Sequence, residues 1–198
     1  SRMSGSPNRD RARWVPSDGR ERSAKAGCSL RCRVRRSRDR RVLRRPRDFV
    51  YFANSALTTA INRRHSVIDS TDIVYAERAY SRFAVEALIV ESESLEVDLE
   101  EVLYEFAGVS ATLDASEVEA ILASGESDSS IRDWLISSSF LGIELSEGRF
   151  EYVQGATAAR RKLRVAERHS ATDGRSLRFR VHPAFRSYLE IVDDDLHE

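Results

Sequence analysis

Arg160, Arg161, Lys162, Arg164 and Arg168 are the densest group of side chains in the folded part of this sequence that could meet a charged ligand. Guanidinium and ammonium groups at this density neutralise phosphates, so the first four are candidate nucleic-acid contacts. The plainer reading is a solvated helix face lying beside acidic helices, and charge runs more often serve that way. A phosphate-binding loop is excluded, because it needs a glycine-rich turn whose backbone amides cradle the phosphates, followed directly by lysine. The only lysines are Lys25, after Ala24, and Lys162, after Arg161. No strand ending in a metal-binding acid is recognisable, so the chain is not expected to position ATP and magnesium or to hydrolyse ATP by itself. Cys28 and Cys32 lack a second pair or a nearby histidine, which leaves a zinc site short of ligands; free thiols are expected. His182, before Pro183, has no evident nucleophile or orienting group and reads as structural, as Asp193, Asp194 and Asp195 read as a solvated terminus. No catalytic residue, metal ligand or cofactor box is assigned.

The elements that position these groups follow from apolar spacing. After Pro46, Phe49, Phe52, Ala53, Ala56, Leu57, Ala60 and Ile61 recur at three- and four-residue steps, the period of a buried helical stripe. Asn62 to His65 end that helix, and Asp69 or Ser70 caps a second one. Its inner face carries Ile73, Ala76, Tyr80, Phe83, Ala84, Ala87 and Leu88, with Glu77, Arg78, Arg82 and Glu86 outside. The polar break Glu91 to Ser94 marks a boundary. Beyond it, Leu95, Leu99, Val102, Leu103 and Phe106 predict a helix that Gly108 ends; residues 116–122 predict a second, and residues after Asp128 a third, with Ile131, Trp134, Leu135 and Ser138 inward. Phe140 to Leu145 and Arg149 to Val153 flank Ser146-Glu147-Gly148, the connection of a hairpin. Three helices and a hairpin make a winged helix, whose third helix would enter a major groove in a DNA reader. Arg132 is its single cation and sits beside Asp133, which argues against that use. A basic helix from Ala156 to about Arg168, a strand from Leu177 to Val181 with Arg178 and Arg180 outward, and a last helix from Ala184 to Val192 complete the reading.

The formal net charge of zero conceals two unlike halves. Residues 1–47 carry 17 basic and 4 acidic side chains, and residues 48–198 carry 15 and 28. The first segment has no apolar period and is expected to be disordered. It reads as a solvated tail before a nucleic-acid arm, because Trp14 is its only aromatic side chain and stacking on bases would want more. No run of eighteen apolar residues and no apolar signal core is present, so neither a membrane partner nor a signal peptide is expected, and a cytoplasmic location is.

Two stretches resemble parts of a known family. Arg45-Pro46-Arg47-Asp48-Phe49-Val50-Tyr51-Phe52, Ala60-Ile61-Asn62-Arg63, Val67-Ile68-Asp69, Asp72-Ile73-Val74-Tyr75-Ala76-Glu77 and Tyr80-Ser81 resemble the helical lid of bacterial P-loop ATPases of the AAA+/STAND type. Phe179 to Leu189 resembles the end of the winged-helix domain that closes such enzymes. The likeness spans about Arg45 to Val192 and leaves out the nucleotide-binding core. It implies a mainly α fold: a disordered basic arm (1–44), a helical lid (45–93) and a winged-helix domain with a small antiparallel sheet (94–198). It implies a non-catalytic C-terminal fragment whose lid senses nucleotide and whose winged helix makes regulatory or protein contacts. Arg45 and Arg47 are the lid arginines it nominates for the terminal phosphate, given a core in another chain, with ATP and magnesium belonging to the intact family. Either could instead pair with Asp48 or face solvent. The alternative is a nucleic-acid-binding winged-helix protein anchored by the basic arm.

Overall fold

The computed structural model describes residues 42–193 except 44, 93, 94, 96 and 124–128. The arm expected over 1–44, with Lys25, Cys28 and Cys32, therefore lies outside the described residues apart from Val42 and Leu43, as do Asp194 and Asp195. The chain is mainly helical, with one small antiparallel sheet.

Helix α1 (Pro46–Asn62) starts with proline in its first turn, where a missing N–H costs nothing, and α2 (Ser70–Glu91) returns antiparallel to it. The reversal is fixed by one buried acid. Asp72 closes a capping box with Asp69, each carboxylate accepting the other's backbone N–H, at 2.9 and 3.0 Å. His65 Nδ1 lies 2.9 Å from Asp72 Oδ2 and Arg63 reaches Oδ1 at 3.4 Å, so the connecting turn is tied to the helix it precedes. Between the helices, Phe52, Ala56 and Ala60 bury against Ala76, Tyr80 and Ala84, while the Tyr51 and Phe83 rings stack 4.1 Å apart. The small residues let the helices approach closely. Leu57 and Ile61, expected in this stripe, are 51% and 64% exposed. With Val50 they form a second apolar row at i, i+7 and i+11, on another side of the helix from Phe52.

The remainder follows a helix, strand, helix, helix, hairpin order, enlarged by one helix and one strand. Helix α3 (Leu99–Tyr104) is capped by Asp98, which starts it four residues after Leu95, the expected start. Strand β1 (Thr112–Asp114), which the apolar pattern did not announce, leads directly into α4 (Ala115–Ala123) through a reciprocal Asp114–Glu117 cap. Helix α5 (Ser129–Ser137) precedes β2 (Leu141–Ser146) and β3 (Arg149–Glu151). The hairpin between them turns at Gly148, φ +69°, whose N–H donates to Glu144. Helix α6 (Ala156–Asp173) runs past the expected Arg168 to a left-handed Gly174, and β4 (Arg178–Val181) alternates buried Phe179 and Val181 with Arg178 and Arg180 as expected. Strand order is β1-β4-β2-β3, all antiparallel, so the last strand inserts between the first and the hairpin.

The expected closing helix to Val192 is a single turn, α7 (Pro183–Arg186). Its continuation is diverted at Glu190, φ +53°, because Val192 pairs with the segment after α3: its N–H donates to Val109 O at 2.9 Å and its carbonyl accepts Ala111 N–H at 2.8 Å. Buried side chains form one continuous cluster from Val42 to Ile191. Among the described residues, no helix is long and apolar enough to cross a membrane.

Candidate functional site

Arg45 and Arg47 stand at the start of α1, and the antiparallel hairpin brings the end of α2 beside them. Both guanidiniums converge on Glu91. Arg45 bonds it through two nitrogens, the second at 3.1 Å, and Arg47 reaches it at 2.6 Å. Glu91 is the acid that bonds them, and Asp48 puts a second acidic group in their field. Asp48, buried immediately behind, is bonded by the Tyr80 hydroxyl, which itself accepts the Leu43 N–H at 3.0 Å. Asp48 Oδ2 has no protein partner among the described residues.

The two acids titrate in opposite senses. Burial pushes the Asp48 carboxyl up, against the pull of Arg47 and Arg45. Burial acts the same way on Glu91, but the hydrogen bonds and charges of Arg45 and Arg47 outweigh it and hold that carboxyl low. Glu91 therefore contributes stability that is full above the ordinary carboxylate range and is lost as pH falls through its folded value. Asp48 keeps its proton to higher pH in the folded chain, so its contribution is full below the ordinary carboxylate range and is lost as pH rises through its raised folded value. Glu91→Gln is expected to cost about 1 kcal/mol at pH 7, discounted for the half-exposed pair, with the difference vanishing in acid. Asp48→Asn should remove the decline that accompanies ionisation of this carboxyl above the ordinary carboxylate range. Urea unfolding between pH 3 and 7 measures both, and an E91Q deficit that persists in acid would refute the assignment.

The basic cluster on α6 divides. Ala159, Leu163 and Ala166 face the core, and Arg160, Arg161, Arg164 and Arg168 are exposed around Val165. Lys162 turns instead to β3, where its ammonium lies 2.5 Å from Glu151. Arg132 of α5 is held against acids, 3.5 Å from Glu119 and 3.8 Å from Asp133. His182 Nδ1 accepts the Ala184 N–H at 3.0 Å and its ring packs edge-on against Tyr152, so it caps α7.

His65, Asp69 and Asp72 are a grouping that spacing did not suggest. Their potential ligand atoms lie within 4.8 Å of one another. The oxygens are committed to the cap described above, and the Thr71 hydroxyl, with the Asp72 N–H, holds the Asp69 carboxyl down at about 2. The group is a turn lock built by the capping box.

Residues 38–89, the hairpin and its approach, match the family model described as a FunZ-associated C-terminal helical domain. No curated protein and no solved structure matches the chain.

Proposed function

We propose that this chain is the non-catalytic C-terminal part of a P-loop ATPase of the AAA+/STAND type, its hairpin sensing nucleotide and its sheet-bearing part making regulatory protein contacts. The observation that carries the reading is the convergence of Arg45 and Arg47 on the single carboxylate of Glu91. The match of this same hairpin to a helical domain described as C-terminal supports it. A terminal phosphate brings more charge and more acceptor oxygens than one carboxylate, so it would compete for the two guanidiniums. Because Glu91 ends α2 and the arginines begin α1, the exchange would release one end of the hairpin and make its position depend on the nucleotide. ATP and magnesium would be held by a core supplied from elsewhere.

The second reading is nucleic-acid binding, favoured by the exposed face of Arg160, Arg161, Arg164 and Arg168. One experiment separates the two. Immunoprecipitation of the chain from cells that make it is expected to recover ATP hydrolysis, whether in a longer polypeptide or in a complex. Arg45→Glu with Arg47→Glu should leave the amount recovered unchanged and remove most of its activity. Recovery without ATPase, or with nucleic acid that R160E/R161E releases, would overturn the reading in favour of the second.

A further inference from the structure

A groove of about 1020 Å³ opens on the sheet-bearing part beside the β2–β3 hairpin. Strand β4 supplies Arg180, α7 supplies Arg186, and β3 supplies Arg149 and Phe150; Val42 and Leu43 close one flank. We propose that this groove binds a small molecule through a phosphate monoester or pyrophosphate group, an inference independent of the nucleotide-sensing role of the hairpin.

The arginines are fixed before any ligand arrives. Arg186, with a side chain only 10% exposed, donates Nε and Nη2 to the Val181 carbonyl at 2.8 and 2.7 Å. Its remaining nitrogen bonds the Asp193 carboxylate. Arg180, 19% exposed, lies with its guanidinium 5.6 Å from the centre of the Phe150 ring and 3.9 Å from the same Asp193 oxygen. Asp193 thus holds Arg186 through one nitrogen and lies near Arg180, so two arginines converge on one oxyanion at the groove edge, an arrangement that suits a phosphate. Arg149 of β3 is exposed and also lines the groove.

Charge points the same way. Of the acids at the groove, Glu151 is held by Lys162 and Asp193 faces both Arg180 and Arg186, so one carboxylate opposes two arginines there, and Arg149 adds a third cation. This occurs on a body whose residues 48–198 carry 28 acidic against 15 basic side chains. Such a body repels polyanions generally, and a recessed cationic groove in it favours a compact anion. A phosphate, with three acceptor oxygens and nearly two charges, uses these donors more fully than a carboxylate does. The apolar flank of Val42, Leu43 and Pro183 leaves room for the organic part.

The test titrates the full chain with pyrophosphate and with phenyl phosphate, by calorimetry and thermal shift, at fixed ionic strength. Both are expected to bind. Arg149→Gln, at an exposed position, should weaken binding about tenfold without changing the fold, as loss of one charge-assisted contact does. Asp193→Asn should tighten binding, because the internal carboxylate no longer competes; a residue with only a structural role would not do this. R160E/R161E should have no effect. Equal responses to sulfate and chloride that R149Q leaves unchanged would mean an adventitious ion only and overturn the proposal. So would binding of an aspartate-rich peptide with no response to either phosphate, or no binding at millimolar concentrations.

Discussion

Phe140→Ala is expected to destabilise the chain by about 3 to 5 kcal/mol and to do so in a single transition. Phe140 is fully buried just before β2, its ring 5.3 Å from Phe106 in the turn after α3 and 5.1 Å from Phe185 of α7. Truncation removes the ring that joins these three elements and opens a cavity between two other phenylalanines that the surrounding backbone cannot close. The consequence should reach the hairpin. Helix α7 packs against α2, and the Tyr188 N–H that follows it donates to the buried Ser81 hydroxyl of α2 at 2.9 Å. Loosening Phe185 therefore loosens the seat of α2. Urea denaturation followed by circular dichroism, which reports mostly helix, and by tryptophan fluorescence, which includes Trp134, should give coincident and equally shifted midpoints. A fluorescence midpoint that falls while the helical signal keeps its own would show that the hairpin is held independently of the sheet.

What the sequence made legible was what depends on local period. The hairpin helices, the β2–β3 turn at Gly148, the long basic helix and the in-out alternation of β4 each rest on neighbours three, four or two residues away. Strand β1 was not legible, since three residues carry too little alternation and owe their conformation to β4, more than sixty residues distant. The closing helix failed for the same reason in reverse: residues 184–192 have helical spacing, but a bridge to Val109 and Ala111 takes the backbone bonds the helix would need. Leu57 and Ile61 show the limit of periodicity in another way. Helix α1 carries two apolar rows, and spacing alone does not say which one α2 will cover.

The candidate sites divide along the same line. Arg45 and Arg47 were nominated through resemblance, with Asp48 weighed as a partner; the structure gives them Glu91, which only the antiparallel return of α2 brings near. The α6 cluster was legible as a run, but not the turn of Lys162 toward Glu151. The arginine groove was invisible, because it depends on β4 entering the sheet between β1 and β2 and so bringing Arg180 beside the hairpin and its Phe150 ring.

Tyr80→Ala should cost about 3 to 5 kcal/mol, and Tyr80→Phe, which keeps the ring, about 1 to 3. The ring is buried in the hairpin, edge-on to Phe52 at 6.1 Å, so its removal empties the contact on which α1 and α2 meet. The hydroxyl carries a separate role. It accepts the Leu43 N–H and bonds Asp48, and burial, reinforced by the Asp48 charge, pushes it well above the ordinary tyrosine range. Phenylalanine leaves the Leu43 N–H unpaired and strips Asp48 of a donor when its Oδ2 already has none among the described residues. Most of the Y80F cost should therefore arise from Asp48. A double-mutant cycle checks this: in the Y80F background, Asp48→Asn should recover part of the loss and cancel its dependence on pH, because a neutral amide needs the hydroxyl less than a buried carboxylate does. A Y80F chain within about 0.5 kcal/mol of the parent, the range of an ordinary surface change, would mean that Arg45 and Arg47 alone satisfy Asp48 and that the tyrosine acts only through its ring.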